Sequence, residues 1–559
     1  MLQKYLNRDT NNLMSLKRLG SRYPSRFSFS RSMLRRMIYE KWKLQKVKFD
    51  LDNEGYGTAV YEITIEKSIY SLVCFSQFLD DSERSDRVIA EKWDTAYTLH
   101  IGRINEKEIN RLKQNIPLQE AGRTSSQELV LSRANKSVRL FENVVTSLSN
   151  GKQPNIKDIN DVGYLLRTTA VYGSGKFGLS DFDRTKFATH FNQPFRAEML
   201  AVYIIREFSI ELVEHIAHHR NPKKAVKLDN KVKQHLGIGN STGLGMAPFI
   251  IKHPKLIHQW IFQFEKAINK IKKIKVVDSH LLKKYIFLLN KSKKYLKEVR
   301  TSDEIQEQKN FQSVEDINEI INYIKKNNKE NLNWNKIVNF SKNFCYDAQE
   351  IVKVQIIELY PNISDTLAEN MAISEKLEVN GSMTLLNLIK LIEKNYSWAI
   401  KTNFKKKNNM YLFWYVSEEK LEPRLGERFN ENGAELEEPL GIGKMVYDLY
   451  LFIKKMNDKD PSLKVSEFLI KKPEFRGIVQ RVQTLSKFEY GEVNDNILSK
   501  DILPIDMLRF KLSFFGASRY DPRSDKWLRV SFFSGAPFFK NLNKKNVENW
   551  GFATTDSYK

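Results

Sequence analysis

Apolar runs divided by short polar breaks stand out in residues 46–105. The runs 58–66 and 68–75 are rich in β-branched and aromatic residues and are separated by one polar residue. Residues 88–101 supply a third strand and room for a fourth, after a polar loop at 80–86. Because strands joined by short polar breaks pair with their neighbours in sequence, the pattern predicts an antiparallel meander.

Apolar residues take up helical spacing from about residue 106. Residues 124–128, Thr-Ser-Ser-Gln-Glu, have the composition of a helix N-terminus, and the apolar residues after them favour a helix. One long helix is predicted over 195–219, and two more are predicted over 255–300. Residues 301–405 are polar and also follow a helical pattern.

Short aromatic strands return in the last third of the chain, at 410–416, 510–515 and 530–533. The predicted fold class is therefore α+β, a mainly helical body with an N-terminal antiparallel β-meander and further short strands near the C-terminus. The predicted regions are a basic N-terminal arm (1–45), a meander region (46–120), a helical region with two glycine-rich loops (121–300), a polar helical region rich in Lys and Asn (301–405) and a mixed α/β region (406–559).

Composition restricts the class of protein. Cys74 and Cys345 are the two cysteines of the chain, which excludes a disulfide framework and a cysteine-based zinc site. The most apolar helical stretch, 197–217, is interrupted by five charged residues, so no transmembrane segment is predicted. The N-terminus lacks the pattern of a secretory signal. We therefore expect a soluble, cytoplasmic protein.

The formal net charge is +24, from 91 basic and 67 acidic residues. This excess has two explanations, a polyanionic partner or the Lys-rich and Asn-rich codon usage of an AT-rich genome. Within the basic arm, Leu34, Ile38 and Trp42 have the spacing of an amphipathic helix. The arm is expected to pack through these residues on its own body or on a second subunit, which makes a homo-oligomer possible.

Residues 249–254 (FIIKHP) and 468–473 (FLIKKP) match at most positions. Each is preceded by Leu-Gly-Ile-Gly, at 236–239 and 440–443. Because related elements occur in a different order in the two halves, both an internal duplication and chance similarity remain open.

The first candidate for chemistry is the glycine-rich segment 172–178, Tyr-Gly-Ser-Gly-Lys-Phe-Gly. Glycines let the backbone approach a ligand closely, and exposed N–H groups there can hold an anion. Ser174 and Lys176 would bind it, and Tyr172 is a candidate proton donor. The spacing fits neither a P-loop nor a dinucleotide fingerprint, and a simple glycine turn is the alternative.

The second candidate is the loop 237–245, which carries four glycines. Asn240, Ser241 and Thr242 lie between them, just before a helix expected to begin near Pro254. Hydroxyl and N–H groups beside a helix N-terminus are suited to a phosphate or carboxylate. A histidine with an unperturbed pKa titrates near neutrality, so His253 is the second candidate for proton transfer. The alternative is a structural role, which is more common for a lone histidine beside proline.

Arg519 and Arg523 flank a tight turn and could bind a carboxylate or phosphate through two parallel hydrogen bonds. The alternative is an Arg–Asp network that fixes the turn. A His- and Glu-rich helix end at 211–219 lacks the order of a zinc-binding motif, so no metal site is predicted.

These patterns favour an enzyme for a small anionic substrate over the alternative, a basic protein associated with nucleic acid or the ribosome. The reaction class and any cofactor stay open. The enzyme hypothesis makes one spatial prediction, that the segments 172–178 and 237–245 lie on a shared cleft.

Overall fold

The computed structural model describes residues 8–13, 23–80, 93–114, 125, 127–172, 188–240, 254–299, 304–327, 332–371, 379–405, 414–417, 423–425, 437–439, 441–494, 510–522 and 528–553. Structural statements below refer to these residues. The architecture is α+β, as the hydrophobic pattern predicts.

A nine-stranded sheet forms one part of the molecule, with the strand order β1-β2-β3-β4-β5-β6-β7-β12-β11. Neighbouring strands are antiparallel except β6 and β7, which are parallel. The remaining strands form a small sheet of order β10-β8-β9. The strands are β1 Lys43–Leu51, β2 Gly57–Ile65, β3 Ser68–Ser76, β4 Thr95–Ile101, β5 Glu128–Lys136, β6 Tyr164–Tyr172, β7 Gly237–Asn240, β8 Trp414–Ser417, β9 Pro423–Leu425, β10 Glu437–Pro439, β11 Ala517–Pro522 and β12 Leu528–Phe532.

Helices make up most of the remaining described chain. They are α1 Thr10–Leu13, α2 Phe29–Tyr39, α3 Glu106–Gln114, α4 Phe141–Ser149, α5 Ile156–Val162, α6 Arg196–Arg220, α7 Asn230–His235, α8 Pro254–Lys272, α9 Ser279–Glu298, α10 Glu304–Asn327, α11 Trp334–Ser341, α12 Tyr346–Glu358, α13 Pro361–Ala368, α14 Leu385–Asn395, α15 Ser397–Lys401, α16 Ile442–Lys459, α17 Val465–Lys471, α18 Arg476–Leu485 and α19 Lys544–Asn549. None of the described helices is both long enough and apolar enough to cross a membrane.

Helix α6 joins the sheet to the helical body. One side of it packs on β3 to β7, and the other contacts α2 and α4. Because α6 is covered on both sides, it is apolar around most of its circumference and buries most of its residues. The opposite face of the sheet is covered by α3, whose Ile109 and Leu112 pack on Val60, Val73 and Phe75.

The long predicted helices are confirmed. The expected 195–219 helix is α6, and the two helices expected over 255–300 are α8 and α9. The break between them falls at Asp278, whose carboxylate caps α9 by accepting the His280 N–H at 2.9 Å.

Residues 23–42 of the basic arm pack into the body. Leu34 and Trp42 are buried, and Ile38 packs against the same core, as their spacing predicts. The chain then enters β1 at Lys43, so the last residues of the predicted arm already belong to the sheet.

Two local predictions were wrong. The helix expected after Glu128 is the strand β5, in the middle of the sheet. Its consecutive apolar residues Leu129, Val130 and Leu131 are all buried, and such a run fits a strand covered on both faces as well as a helix. The strand expected at 510–515 is a π-helical turn at Phe510–Phe514, where aromatic packing outweighs the strand preference of the residues.

Candidate functional site

Three candidate segments follow strands that end on the same side of the sheet. The strands β6 and β7 are parallel neighbours, and β11 points the same way because β12 is antiparallel to both β7 and β11. The last residues of these strands are Tyr172, Asn240 and Pro522. We call this side, where β6, β7 and β11 end, the carboxyl end of the sheet.

The register makes β7 the shortest strand at this end. Asn240, its last residue, pairs with Thr168 of β6 and with Val530 of β12. Strand β6 continues four residues further to Tyr172, which is about 13 Å at about 3.3 Å per residue. Strand β12 extends two residues beyond the same level. The chain therefore leaves β7 between two longer strands.

Arg519 is placed by backbone pairing alone. It pairs with Ser531, which in turn pairs with Gly239. Arg519 thus lies level with Gly239 and two strands away, about 10 Å across the sheet. Tyr172 is likewise placed by its backbone, opposite Leu131 of β5.

Asn240 joins the two parallel strands. Its side chain is buried, and its amide nitrogen donates to the Thr168 carbonyl at 3.1 Å and lies 3.5 Å from the Thr168 hydroxyl. The Thr168 hydroxyl donates to the Gly239 carbonyl at 3.3 Å. The contacts described for Asn240 are therefore structural, and its role in binding a ligand stays a prediction.

The predicted loop 237–245 begins with a strand. Gly237–Asn240 is β7, a buried central strand, so the loop boundary was wrong by four residues. A Cβ at Gly237 would overlap the Phe532 carbonyl oxygen, and a Cβ at Gly239 would overlap the Tyr164 ring. These two glycines are required by close packing inside the sheet.

The other candidates lie outside the described residues. They are Ser174, Lys176, Ser241, Thr242, His253 and Arg523. The helix expected after the second loop does begin at Pro254, as α8. The shared cleft stays a prediction, because most of both segments lies outside the described residues. The structure does show that β6 and β7, the strands that lead into them, run in the same direction.

A buried polar cluster that the sequence did not reveal lies at the end of β4, which runs in the same direction as β6. His100 pairs with Glu128 across β4 and β5, and both side chains are buried. The Arg111 guanidinium contacts Glu128 Oε1 at 2.8 Å and donates to Glu108 Oε2 at 2.8 Å. Burial lowers the pKa of His100, although Glu108 and Glu128 act in the opposite direction. Burial thus favours the uncharged form of this imidazole.

Sequence gave little sign of this cluster. His100 stands in an ordinary alternating run, and Glu128 resembled a residue of a helix N-terminus. The β4–β5 register shifts between Leu99 and His100, and Arg111 of α3 contacts Glu128; both are features of the fold that no local pattern predicts.

The His- and Glu-rich end of α6 is held by protein contacts. Glu211 accepts the Tyr61 hydroxyl at 2.6 Å, and Glu214 is paired with Lys233 at 2.8 Å. The His215 ring nitrogen Nε2 lies 2.8 Å from the Asp52 carbonyl. Within the described ranges, no group of three or more His, Cys, Asp or Glu side chains is arranged to hold a metal ion.

The chain matches no protein-family model, and no curated protein or solved structure is significantly similar to it.

Proposed function

We propose that the protein is an enzyme acting on a small carboxylate- or phosphate-bearing substrate at the carboxyl end of the sheet. The supporting observation is that β6, β7 and β11 point the same way and are each followed by a candidate binding segment. In open α/β sheets, ligands bind beyond the carboxyl ends of parallel strands, and we apply this rule by analogy to the parallel pair β6 and β7.

In this proposal the residues divide into three roles. Cationic side chains neutralise the substrate, and hydroxyl and amide groups orient it. A titratable side chain transfers a proton. The proposed groups are Lys176, Arg519 and Arg523 for charge, Ser174, Asn240, Ser241 and Thr242 for orientation, and Tyr172 or His253 for proton transfer.

The proposal is tested by separating affinity from stability. Native mass spectrometry of the purified chain would identify co-purified small anions, and inorganic phosphate serves as a defined probe. A charge-assisted hydrogen bond contributes about 1.5–3 kcal/mol, so Arg519→Ala or Lys176→Ala should weaken binding about 10- to 150-fold. Arg103→Ala is the matched control, because Arg103 is exposed and pairs with Glu62 at 3.3 Å on the surface.

If these cations bind ligand and do not hold the fold together, Arg519→Ala and Lys176→Ala should leave the melting temperature within about 2 °C of wild type. A large loss of stability with unchanged affinity would instead show that these cations stabilise the fold and do not bind ligand, and the proposed site would be abandoned.

A second candidate function, nucleic-acid binding, is supported by lysines on α9 and α10. Burial and the charges of Lys297 and Lys325 lower the pKa of Lys293, so these three lysines form a basic cluster. Lys297 and Lys325 are exposed and, within the described ranges, neither is ion-paired. Such a cluster attracts phosphodiesters.

A further inference from the structure

The helix α9 carries a strongly basic exposed side. Its sequence contains six lysines and one acidic residue, Glu298, which is the last residue of the helix. At the opposite end the Asp278 carboxylate caps the helix by accepting the His280 N–H at 2.9 Å. From Lys283 to Lys297 every charged side chain is therefore a lysine, over a length of about 21 Å at about 1.5 Å per residue.

One large aromatic side chain lies on this basic side. Phe287 is 63% exposed, whereas Leu282, Tyr285 and Leu289 of the same helix are buried in the core. The Tyr285 hydroxyl also donates to the Val352 carbonyl at 3.3 Å. Because these buried residues hold α9 against the body, the ring of Phe287 is not needed for that packing and is largely open to solvent.

Lysines flank Phe287 at helical spacing. Lys283 and Lys284 precede it by four and three residues, so their side chains lie beside the ring, about one turn away. Both lysines are exposed, and within the described ranges neither is ion-paired. Lys291, four residues after Phe287, has other contacts and is not included in the proposed surface.

A second exposed phenylalanine, Phe311 on α10, has the opposite surroundings. It is 66% exposed, which is close to the value for Phe287. Glu307 precedes it by four residues and Glu315 follows it by four, and both are exposed. Two rings of nearly equal exposure thus differ in the sign of the charge beside them. Phe287 combines an open ring with positive potential, and Phe311 does not.

We propose that the basic side of α9 binds single-stranded nucleic acid and that Phe287 is a platform on which a base stacks. The lysines neutralise phosphates, and an unpaired base covers the ring that is open to solvent. An anionic membrane fits less well, because helices that bind membranes insert an apolar face, and that face of α9 is packed in the core. This inference rests on the second candidate function and adds the kind of nucleic acid and the residue that contacts its bases.

The test is fluorescence anisotropy with a labelled oligothymidylate of about 12 nucleotides, a usual site size for a single strand. Phe287→Ala should weaken binding at least about fivefold, the lower end for the loss of one base–aromatic stack. Because the ring contacts no phosphate, the slope of log affinity against log salt should not change in this variant. Lys283→Gln should instead reduce that slope by about 0.7. Phe287→Trp keeps an aromatic face and should retain binding.

Two controls separate stacking from charge and from folding. Phe311→Ala removes a ring of matched exposure between two acids and should change binding less than about twofold, because those acids repel the strand. A strand of the same length with abasic sites in place of thymidines should bind wild type and Phe287→Ala alike. Melting curves of every variant identify any loss of binding that comes from unfolding, which is not expected for an exposed side chain.

The outcomes distinguish this proposal from the function on which it rests. Equal affinity of wild type and Phe287→Ala, with a reduced slope in Lys283→Gln, rejects the platform and leaves nucleic-acid binding in place. No binding of the oligothymidylate to wild type at low salt rejects both. An equal loss in Phe311→Ala, or equal affinity of wild type for the abasic strand, also rejects base stacking on Phe287. Binding to phosphatidylserine vesicles that depends on Phe287, without binding to the oligothymidylate, assigns the surface to a membrane instead.

Discussion

Arg26 is the residue whose loss should destabilise the folded chain most clearly. It is 1% exposed, and its Nε and Nη2 donate to the two carboxylate oxygens of Asp365 at 2.7 Å each. The same guanidinium donates to Glu548 at 2.5 and 2.8 Å. Arg26 thereby connects the N-terminal segment to α13 and α19. Arg26→Met keeps much of the side-chain volume and removes the charge.

The size of the effect follows from the burial of the partners. Removing one member of a buried ion pair costs about 3–5 kcal/mol, because the other charge is left unpaired. Asp365 and Glu548 are 30% and 34% exposed, so water can partly replace the arginine and about 2–4 kcal/mol is expected. A cooperative chain of 559 residues has an unfolding entropy of about 1.2 kcal/mol/K. The melting temperature should therefore fall by about 2–3 °C.

The same residues predict how this stabilisation depends on pH. Burial alone would raise the pKa of Glu548, but the hydrogen bonds of Arg26 and the charges of Arg26, Arg31 and Arg35 lower it from 4.5 to about 2. A carboxylate whose pKa is lowered in the folded state stabilises the fold above its unfolded pKa, and this stabilisation is lost as the pH falls toward the folded pKa. The difference between wild type and Arg26→Met should thus be full at pH 7 and shrink between about pH 4.5 and 2.

Differential scanning calorimetry from pH 7 to pH 2.5 provides the measurement. Arg103→Met is the control, since Arg103 is 72% exposed and its pair with Glu62 should contribute less than about 0.5 kcal/mol. If Arg26→Met melts within 0.5 °C (roughly 0.6 kcal/mol) of wild type at pH 7, the Arg26 network does not stabilise the fold as argued. A difference that stays constant down to pH 2.5 would contradict the role of Glu548.

Two further predictions concern the sheet and the lysines. Gly239→Ala should cost about 1–3 kcal/mol, because the new Cβ overlaps the buried Tyr164 ring, whereas Gly477→Ala meets no atom within 4 Å and should stabilise α18 by about 0.5–1 kcal/mol. Thermal melts that show equal effects would contradict the packing argument. If the lysine cluster binds single-stranded nucleic acid, replacing Lys297 and Lys325 by Gln should reduce the slope of log affinity against log salt by about 1.4. An unchanged slope in fluorescence anisotropy titrations would reject these contacts.

The sequence could predict elements whose pattern is local. The meander follows from runs of β-branched and aromatic residues divided by short polar breaks, and the long helices follow from their apolar spacing and from the break at Asp278. Leu129–Leu131 could not be assigned in this way, because a strand buried on both faces loses its alternation. Gly237 and Gly239 resembled a loop because nothing local shows that Phe532 and Tyr164 will approach them.

The relation between β6 and β7 is the part of the site that sequence could not predict. Their paired residues Thr168 and Asn240 are 72 positions apart, and the connection between the strands includes α6. Whether two distant strands become parallel neighbours depends on how that helix packs across the sheet, which no short motif records. The candidate residues could be named from composition, but their common direction required the fold.

The structure divides the positive charge of the chain into two kinds. The arginines of the N-terminal segment are bonded to carboxylates of the body, with Arg31 to Glu358 Oε1 at 2.5 Å and Arg35 Nε to Asp365 Oδ1 at 3.4 Å. Charges engaged in this way contribute to folding and are poorly placed to attract a polyanion. Lys297 on α9 and Lys325 on α10 are exposed, and within the described ranges neither is ion-paired. A partner that responds to the net charge of +24 should therefore be sought at the helical body and not at the N-terminal segment.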